Sequence, residues 1–340
     1  MHRIFALILT VGLFFSTTLH AQTFADISAA NLAGNAPAFH ALQEGRVEDA
    51  QILLNATLAQ DPTDATAHQL LCRVFYAQDA ADAAIRQCEL AAGDDSRNNI
   101  QASDDQLWLG RAYGMKARHA GPFAGFSLAR KVRSSFFLAT QLNPSNAAAL
   151  NDLGEYYIDA PSIVGGGIDK AQALADRIMP QFPTLAHRQL GLIAQSEKDL
   201  PTAESEFKLA VATQRSSDGH SLAEAWIDLA QFYQTHSRPD EALAAIKSGL
   251  AADRIHGPVL VDAASILTAA HRAPDLAELC LRTYLAGHAK SDAAPAFKVH
   301  LQLARLLTAR GDASDATREA ATAAALAPAF TRNTRPAQGL

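Results

Sequence analysis

Apolar residues along this 340-residue chain recur as pairs of short helical stripes. Between residues 223 and 256, Trp226, Leu229, Ala230 and Tyr233 lie at the three-, four- and seven-residue offsets that collect side chains on one face of an α-helix. A polar turn at 235–239 follows, and Ala242, Ile246 and Gly249 then mark a second helix. The same two-part pattern returns on both sides. Leu71, Cys72 and Phe75 pair with Ala84, Cys88 and Ala91, and Leu109, Gly110 and Tyr113 pair with Val132, Phe136 and Ala139. Leu153, Gly154 and Tyr157 precede Ala171 and Ala175, and Leu190 and Gly191 precede Ala203, Phe207 and Ala210. Ala264 and Ser265 with Ala277, Leu281 and Tyr284 form a weaker unit, and Leu303, Ala304 and Leu307 with Ala316, Ala320 and Ala323 a last one. Ala50, Leu54 and Thr57 supply the second helix of a first unit. The pattern predicts about eight helical hairpins and no sheet.

Each unit puts Gly, Ala, Ser or Cys where paired helices approach most closely, and Leu, Phe or Tyr in the seam between them. A larger residue at the small position would push the helices apart. Pro62, Pro144 and Pro328 follow second helices and stop them. This order of small, apolar and proline positions resembles the tetratricopeptide repeat (TPR), a helix pair recurring about every 34 residues. The resemblance runs over residues 36–330 and implies an all-α, right-handed, TPR-type helical-hairpin solenoid of about eight repeats. It also implies a preformed concave groove lined by the first helices, because each repeat is stable only when stacked on its neighbours. In that register the lining positions include Gln69, Arg73, Leu107, Arg111, Asn151, Glu155, Arg188, Ile227, Gln231 and Arg305. Arg73 and Arg111 occupy equivalent positions in neighbouring repeats and suit a carboxylate or an acidic peptide. The Lys/Asn set by which chaperone-binding TPR domains clamp a C-terminal carboxylate is absent.

Two units break the period inside the hairpin. The step from Tyr233 to Ala242 is nine residues, whereas Tyr113 to Val132 is 19 and Tyr157 to Ala171 is 14. The excess predicts enlarged loops at 114–126 and 158–169, on the same edge of repeats 3 and 4, where such arrays often bind partners. The first carries Lys116, Arg118, His119, Phe123 and Phe126, with Arg130, Lys131 and Arg133 just beyond. The second carries Gly165, Gly166 and Gly167, which either offer backbone amides to an anion or make a tight turn. No Lys-Ser/Thr follows these glycines, which excludes a nucleotide P-loop.

Composition reinforces the helical reading, since 71 of the 340 residues are Ala, which loses least on entering a helix. Lys and Arg number 29 against 35 Asp and Glu, a formal net charge of −6. That balance argues against nucleic acid as a partner, because its recognition needs a basic face. Residues 1–21 read as a signal peptide: His2 and Arg3, an apolar run from Ile4 to Phe15, then Leu19-His20-Ala21 ahead of Gln22. The run falls short of the roughly 20 residues a bilayer span needs, and no later stretch approaches one. The expected protein is exported, periplasmic or secreted, with 22–35 as an N-terminal segment and 331–340 as a disordered tail. Cys72 and Cys88 could pair in an oxidising compartment and leave Cys280 free. Both also occupy packing positions of one hairpin, which favours buried, unbonded thiols.

No catalytic constellation emerges. The ten His residues beyond the signal are scattered, without HExxH, CxxC or nucleophile-elbow contexts. The sequence therefore predicts a non-enzymatic scaffold with no cofactor and no metal. It would bind a protein or peptide through the groove, the loop edge of repeats 3 and 4, or both. A second reading is a periplasmic carrier of an apolar or anionic small molecule such as a lipid or glycan, motivated by Phe123, Phe126, Phe136 and Phe137 near the basic cluster. An enclosed pocket there favours the carrier; a shallow one favours the scaffold.

Overall fold

The structure, a computed structural model, describes residues 33–94, 96–213 and 221–330. The expected signal peptide at 1–21, nearly all of the segment at 22–35 and the tail at 331–340 lie outside the described residues. Among the described residues all regular structure is helical, and sixteen α-helices follow one another as eight hairpins. They are α1 (Ala36–Gln43) with α2 (Val47–Gln60), α3 (Ala65–Ala77) with α4 (Ala81–Ala92), and α5 (Asn99–Ala117) with α6 (Pro122–Leu142). Next come α7 (Ala147–Asp159) with α8 (Ile168–Ile178), α9 (Pro183–Ser196) with α10 (Leu200–Thr213), and α11 (Leu222–Thr235) with α12 (Pro239–Ala252). The last two are α13 (Val259–Ala269) with α14 (Pro274–Ala286), and α15 (Ala296–Arg310) with α16 (Ala313–Leu326). This is an all-α solenoid of helical hairpins.

Local chemistry sets the helix starts. Asp64 accepts from the Ala67 amide at 2.8 Å, and Asn146 from the Ala149 amide at 3.1 Å, each capping a helix just after a proline turn. Asn98 and Ser221 form full capping boxes with Gln101 and Glu224. The small positions behave as their spacing implies. A Cβ on Gly110 would stand 2.5 Å from the Phe136 ring, and one on Gly191 3.1 Å from Phe207. Both rings are buried in the hairpin seam.

Cys72 and Cys88 are joined by a disulfide between α3 and α4. The expectation of unbonded thiols is thus corrected, and the reason is packing itself. The close approach that demands small residues also sets the two Cα atoms 5.2 Å apart, within disulfide reach.

The enlarged loop expected at 114–126 is also corrected. Its residues extend the two helices, so α5 has 19 residues and α6 has 21, joined by a short turn at 118–121. Met115, Lys116, Ala117 and Ala124 favour helix, and Pro122 sits in the first turn of α6, where a missing N–H costs nothing. At the fourth hairpin the connection at 160–167 is non-α, apart from a 3-10 turn at Ser162–Val164.

The array closes on itself. Phe297, Ala323 and Ala327 from the last hairpin share a core with Phe39, Leu42, Val47 and Leu54 of the first. Arg73 on α3 pairs with Asp292 at 2.8 Å, and Lys298 on α15 pairs with Asp79 at 2.8 Å. Phe330 packs on Phe297 with ring centroids 4.8 Å apart. Open solenoids need a polar capping repeat at each end; here each end covers the other. Gly45 makes a close approach within the closure. It has φ +79°, and a Cβ there would overlap Ala296 at the start of α15. Gly45→Ala is expected to cost about 2 kcal/mol through backbone strain and overpacking. It should lower the melting midpoint and enlarge the radius of gyration measured by small-angle scattering. A variant as compact and stable as the wild type would show that closure does not depend on this contact.

Candidate functional site

The first helix of each hairpin faces the inside of the ring, and the residues expected to line a groove are found there in two different states. On α3, α5, α7 and α9 they are spent on one another. Arg73 contacts Asp292, and its guanidinium lies 4.9 Å from the Trp108 ring centroid. Arg111 lies over the same ring system at 4.8 Å, and its Nε donates to Asp152 at 2.7 Å. Burial works to lower the Arg111 pKa, but Asp152, Tyr76 and Asp292 together outweigh it and the net direction is up. Burial also raises the Tyr76 hydroxyl, whose ring meets Trp108 edge-on at 5.4 Å. Arg188, fully buried, donates to Glu155 at 2.7 Å, Asp228 at 3.1 Å and the Asn151 carbonyl at 2.8 Å. Asn151 and Glu155 are therefore engaged inside the protein, and so are Arg73 and Arg111.

On α11, α13 and α15 the inner face stays open. The connection at 287–295 holds α13 and α15 apart. It is folded by the buried Tyr284, whose hydroxyl donates to the Ala294 carbonyl at 2.7 Å and accepts from the Ser291 amide at 2.8 Å. Lys290 reaches back to the carbonyls of Tyr284, Leu285 and Gly287, ending α14 with a cation on its unpaired acceptors. The result is a pocket of about 340 Å³. Ile227, Val259, Ile266 and Val299 form its apolar walls, Gln231, Gln234 and Gln302 carry amides into it, and Asp262 and Lys298 line it as well. Burial lowers the Lys298 pKa against the opposing pull of Asp79. Of the residues expected to line the groove, Ile227 and Gln231 line this pocket.

The edge residues of hairpins 3 and 4 separate in a similar way. Lys116 pairs with Asp82. Arg118, His119, Phe123 and Phe126 are exposed, on or beside the turn between α5 and α6. Gly165, Gly166 and Gly167 make a tight turn. Their amides donate to Ser162, Pro161 and Tyr157 carbonyls at 2.9, 3.2 and 2.8 Å, which leaves none for an anion. Gly165 and Gly167 adopt φ of +98° and +143°, and a Cβ on Gly166 would overlap the Ala160 carbonyl, so this turn requires glycine. Near the Phe cluster the surface is an open depression beside α6, not an enclosed cavity.

Sequence reasoning did not find Trp108, Asp292 or the pocket residues on α13 and α15. The nine-residue connection at 287–295, longer than the turns at 61–64 or 143–146, was the available signal. A spacer there marks where successive first helices are spread, with Gln302 of α15 reaching Ser265 of α13 through its amide at 3.0 Å.

No protein-family model and no curated protein matches the sequence. Solved structures similar to this chain include a thermophilic TPR protein of Thermus thermophilus, 19% identical over 70% of this chain and 99% of that one, with a TM-score of 0.44. A tetratricopeptide repeat protein from Parabacteroides merdae is 13% identical over 82% of this chain and 99% of that one, also with a TM-score of 0.44. The human IFIT1 dimer with m7Gppp-AAAA is 14% identical over 83% of this chain and 68% of that one, with a TM-score of 0.40. At this distance none of them bears on what the chain binds.

Proposed function

We propose that this chain is a non-enzymatic interaction scaffold that receives a segment of a protein or peptide partner between α11, α13 and α15. The observation that carries the reading is the 340 Å³ pocket where the inner face is left open. Apolar walls can take a partner's side chains. The Gln231 amide donates to Gln234 and Thr235 and the Gln302 amide to Ser265, so the Gln231 and Gln302 carbonyls and the Gln234 NH2 group are what can meet the N–H and C=O groups of an extended backbone. Across the ring the equivalent positions already hold Arg73, Arg111 and Arg188 ion pairs, so a partner there would have to displace buried charges. We further propose that the chain is exported. The 1–21 pattern and the Cys72–Cys88 disulfide support this, because disulfides persist in oxidising compartments.

The test is crosslinked pull-down from the native envelope with full-length wild type and a Gln231→Trp, Gln302→Trp double variant. Both residues are partly exposed, so the variant should fill the pocket and leave the fold intact, as a thermal melt would verify. Recovery of the wild-type partner should fall about 10-fold or more, as for occluding the centre of an interface. Unchanged recovery would rule out the pocket as the binding surface.

A further inference from the structure

We infer that the outward face of α6 is a docking surface for an anionic lipid bilayer, with Phe123 as the point of insertion. The helix divides into two faces. Leu128, Ala129, Val132, Ser135, Phe136 and Ala139 are buried. Phe123, Phe126, Arg130, Ser134 and Phe137 follow one another at three- and four-residue steps on the other side. Phe123 is 95% exposed, Phe137 42% and Phe126 39%. One exposed ring needs no explanation, but three on one helix face do.

Charge selects the phase this face meets. Between Gln106 and Asn151 the chain carries six Lys and Arg and no Asp or Glu, although its net charge is −6. Arg111 and Lys116 are taken by Asp152 and Asp82, and Arg133 packs against Gly165. Arg118 is exposed on the turn between α5 and α6. Arg130 and Lys131 remain on the exposed face of α6, with no carboxylate among the described residues paired to either and with the Lys131 ammonium 4.8 Å from the Tyr113 ring centroid. They border an open depression of about 450 Å³ that also holds Ser127, Ser134, Tyr113 and Phe126. Two cations and two hydroxyls beside aromatic rings suit a lipid phosphate whose acyl chains lie against the phenyl groups. Glu89, the acid that reaches this region, accepts from the Tyr113 hydroxyl at 2.6 Å.

Shape narrows the choice further. Helices α5 and α6 have 19 and 21 residues, and no other helix among the described residues exceeds 15, so the Pro122-Phe123 end projects from the ring. Ile163, 74% exposed, lies on the neighbouring connection that Arg133 and Gly165 hold against α6. A convex tip with a bare phenyl ring suits a soft, flat phase. A protein partner would need a pocket of its own, and a single-stranded nucleic acid needs a groove that follows its backbone. Ile163 adds acyl contact but offers no ring for a base to stack on. No helix among the described residues is long and apolar enough to cross a membrane, so the contact is interfacial. Arg130 and Lys131 reach phosphates while Phe123 enters the upper methylenes. None of this rests on the pocket between α11, α13 and α15, and the variants that test the two sites are different.

The test is flotation of the full chain with vesicles of equimolar phosphatidylglycerol and phosphatidylcholine, and with vesicles of phosphatidylcholine alone. The chain should bind the mixed vesicles only, and less as salt rises. Arg130→Glu with Lys131→Glu should weaken binding about 30-fold or more, and Phe123→Ser about 10-fold. Emission of a Phe123→Trp variant should shift to the blue on mixed vesicles. That readout reports the tip even if the apolar run at 4–15 contributes to flotation. Absence of that shift, or wild-type binding by the charge-reversal variant, would overturn the proposal. So would binding of oligouridylate or a polyglutamate peptide in place of vesicles, lost in the same variants, because the face would then serve a different macromolecule.

Discussion

Replacing Arg188 with Met is expected to lower the stability of the fold by about 3–5 kcal/mol, the cost of breaking a buried ion pair from one side. The side chain is fully buried and is shared by three hairpins, since Glu155 and Asn151 lie on α7 and Asp228 on α11. Met would roughly fill the volume, yet Glu155 and Asp228 would keep their charges with the guanidinium between them gone. The expected loss is therefore the cost of uncompensated acids and exceeds the worth of any one contact. Neighbouring hairpins in such an array are stable only against each other, so the variant should also loosen the seam from α7 to α11. Urea unfolding of Arg188→Met, Asp228→Leu and the double variant checks this. The double should be less destabilised than the sum of the singles, with a coupling of about 1–3 kcal/mol. If Arg188→Met unfolds within experimental error of the wild type, the network is not shielded from water and the inner face of hairpins 4 and 5 is open after all.

Removal of the Cys72–Cys88 disulfide should cost about 3 kcal/mol, the loop entropy released to the unfolded chain when residues 16 apart are uncrosslinked. The Cys72→Ala, Cys88→Ala variant should fold into the same ring with a lower urea midpoint, because both positions accept small residues. Thiol titration gives an independent check. Cys280 is 2% exposed, and burial pushes its thiol up to about 11, so it should be inert in the native protein. One thiol per chain should appear on denaturation without reductant, and three after reduction. Three thiols in denaturant without reductant would show that the bond does not form.

Much of the fold could be read from residue types. Ala84, Ala203, Ala242, Ala277 and Ala316 mark the second helices, and each is buried in the structure where its hairpin needs a small side chain. The site was less legible. Arg73 and Arg111 fall on the first helices α3 and α5, but periodicity cannot show that Asp292, more than two hundred positions downstream, returns to meet Arg73. Gly165 to Gly167 read equally well as an anion nest and as a turn. Only the carbonyls of Tyr157, Pro161 and Ser162 decide between them, by taking the amides. The additional length in the third unit was visible as ten surplus residues, but counting alone does not distinguish a loop from two longer helices.

What the sequence determined by itself is local and repetitive. Apolar spacing specifies helices, small residues specify hairpins, and eight repetitions specify a stack, because each of these depends on neighbours within about 40 residues in such arrays. What only the tertiary structure decided is whether the stack stays open. Phe297, Gly45, Asp292 and Lys298 belong to hairpins at opposite ends of the chain. Their meeting follows from small rotations accumulated over every intervening hairpin, a sum that no single segment encodes. That closure turns a long groove into a ring, half lined by neutralised charge, with an open pocket inside and a basic aromatic face outside.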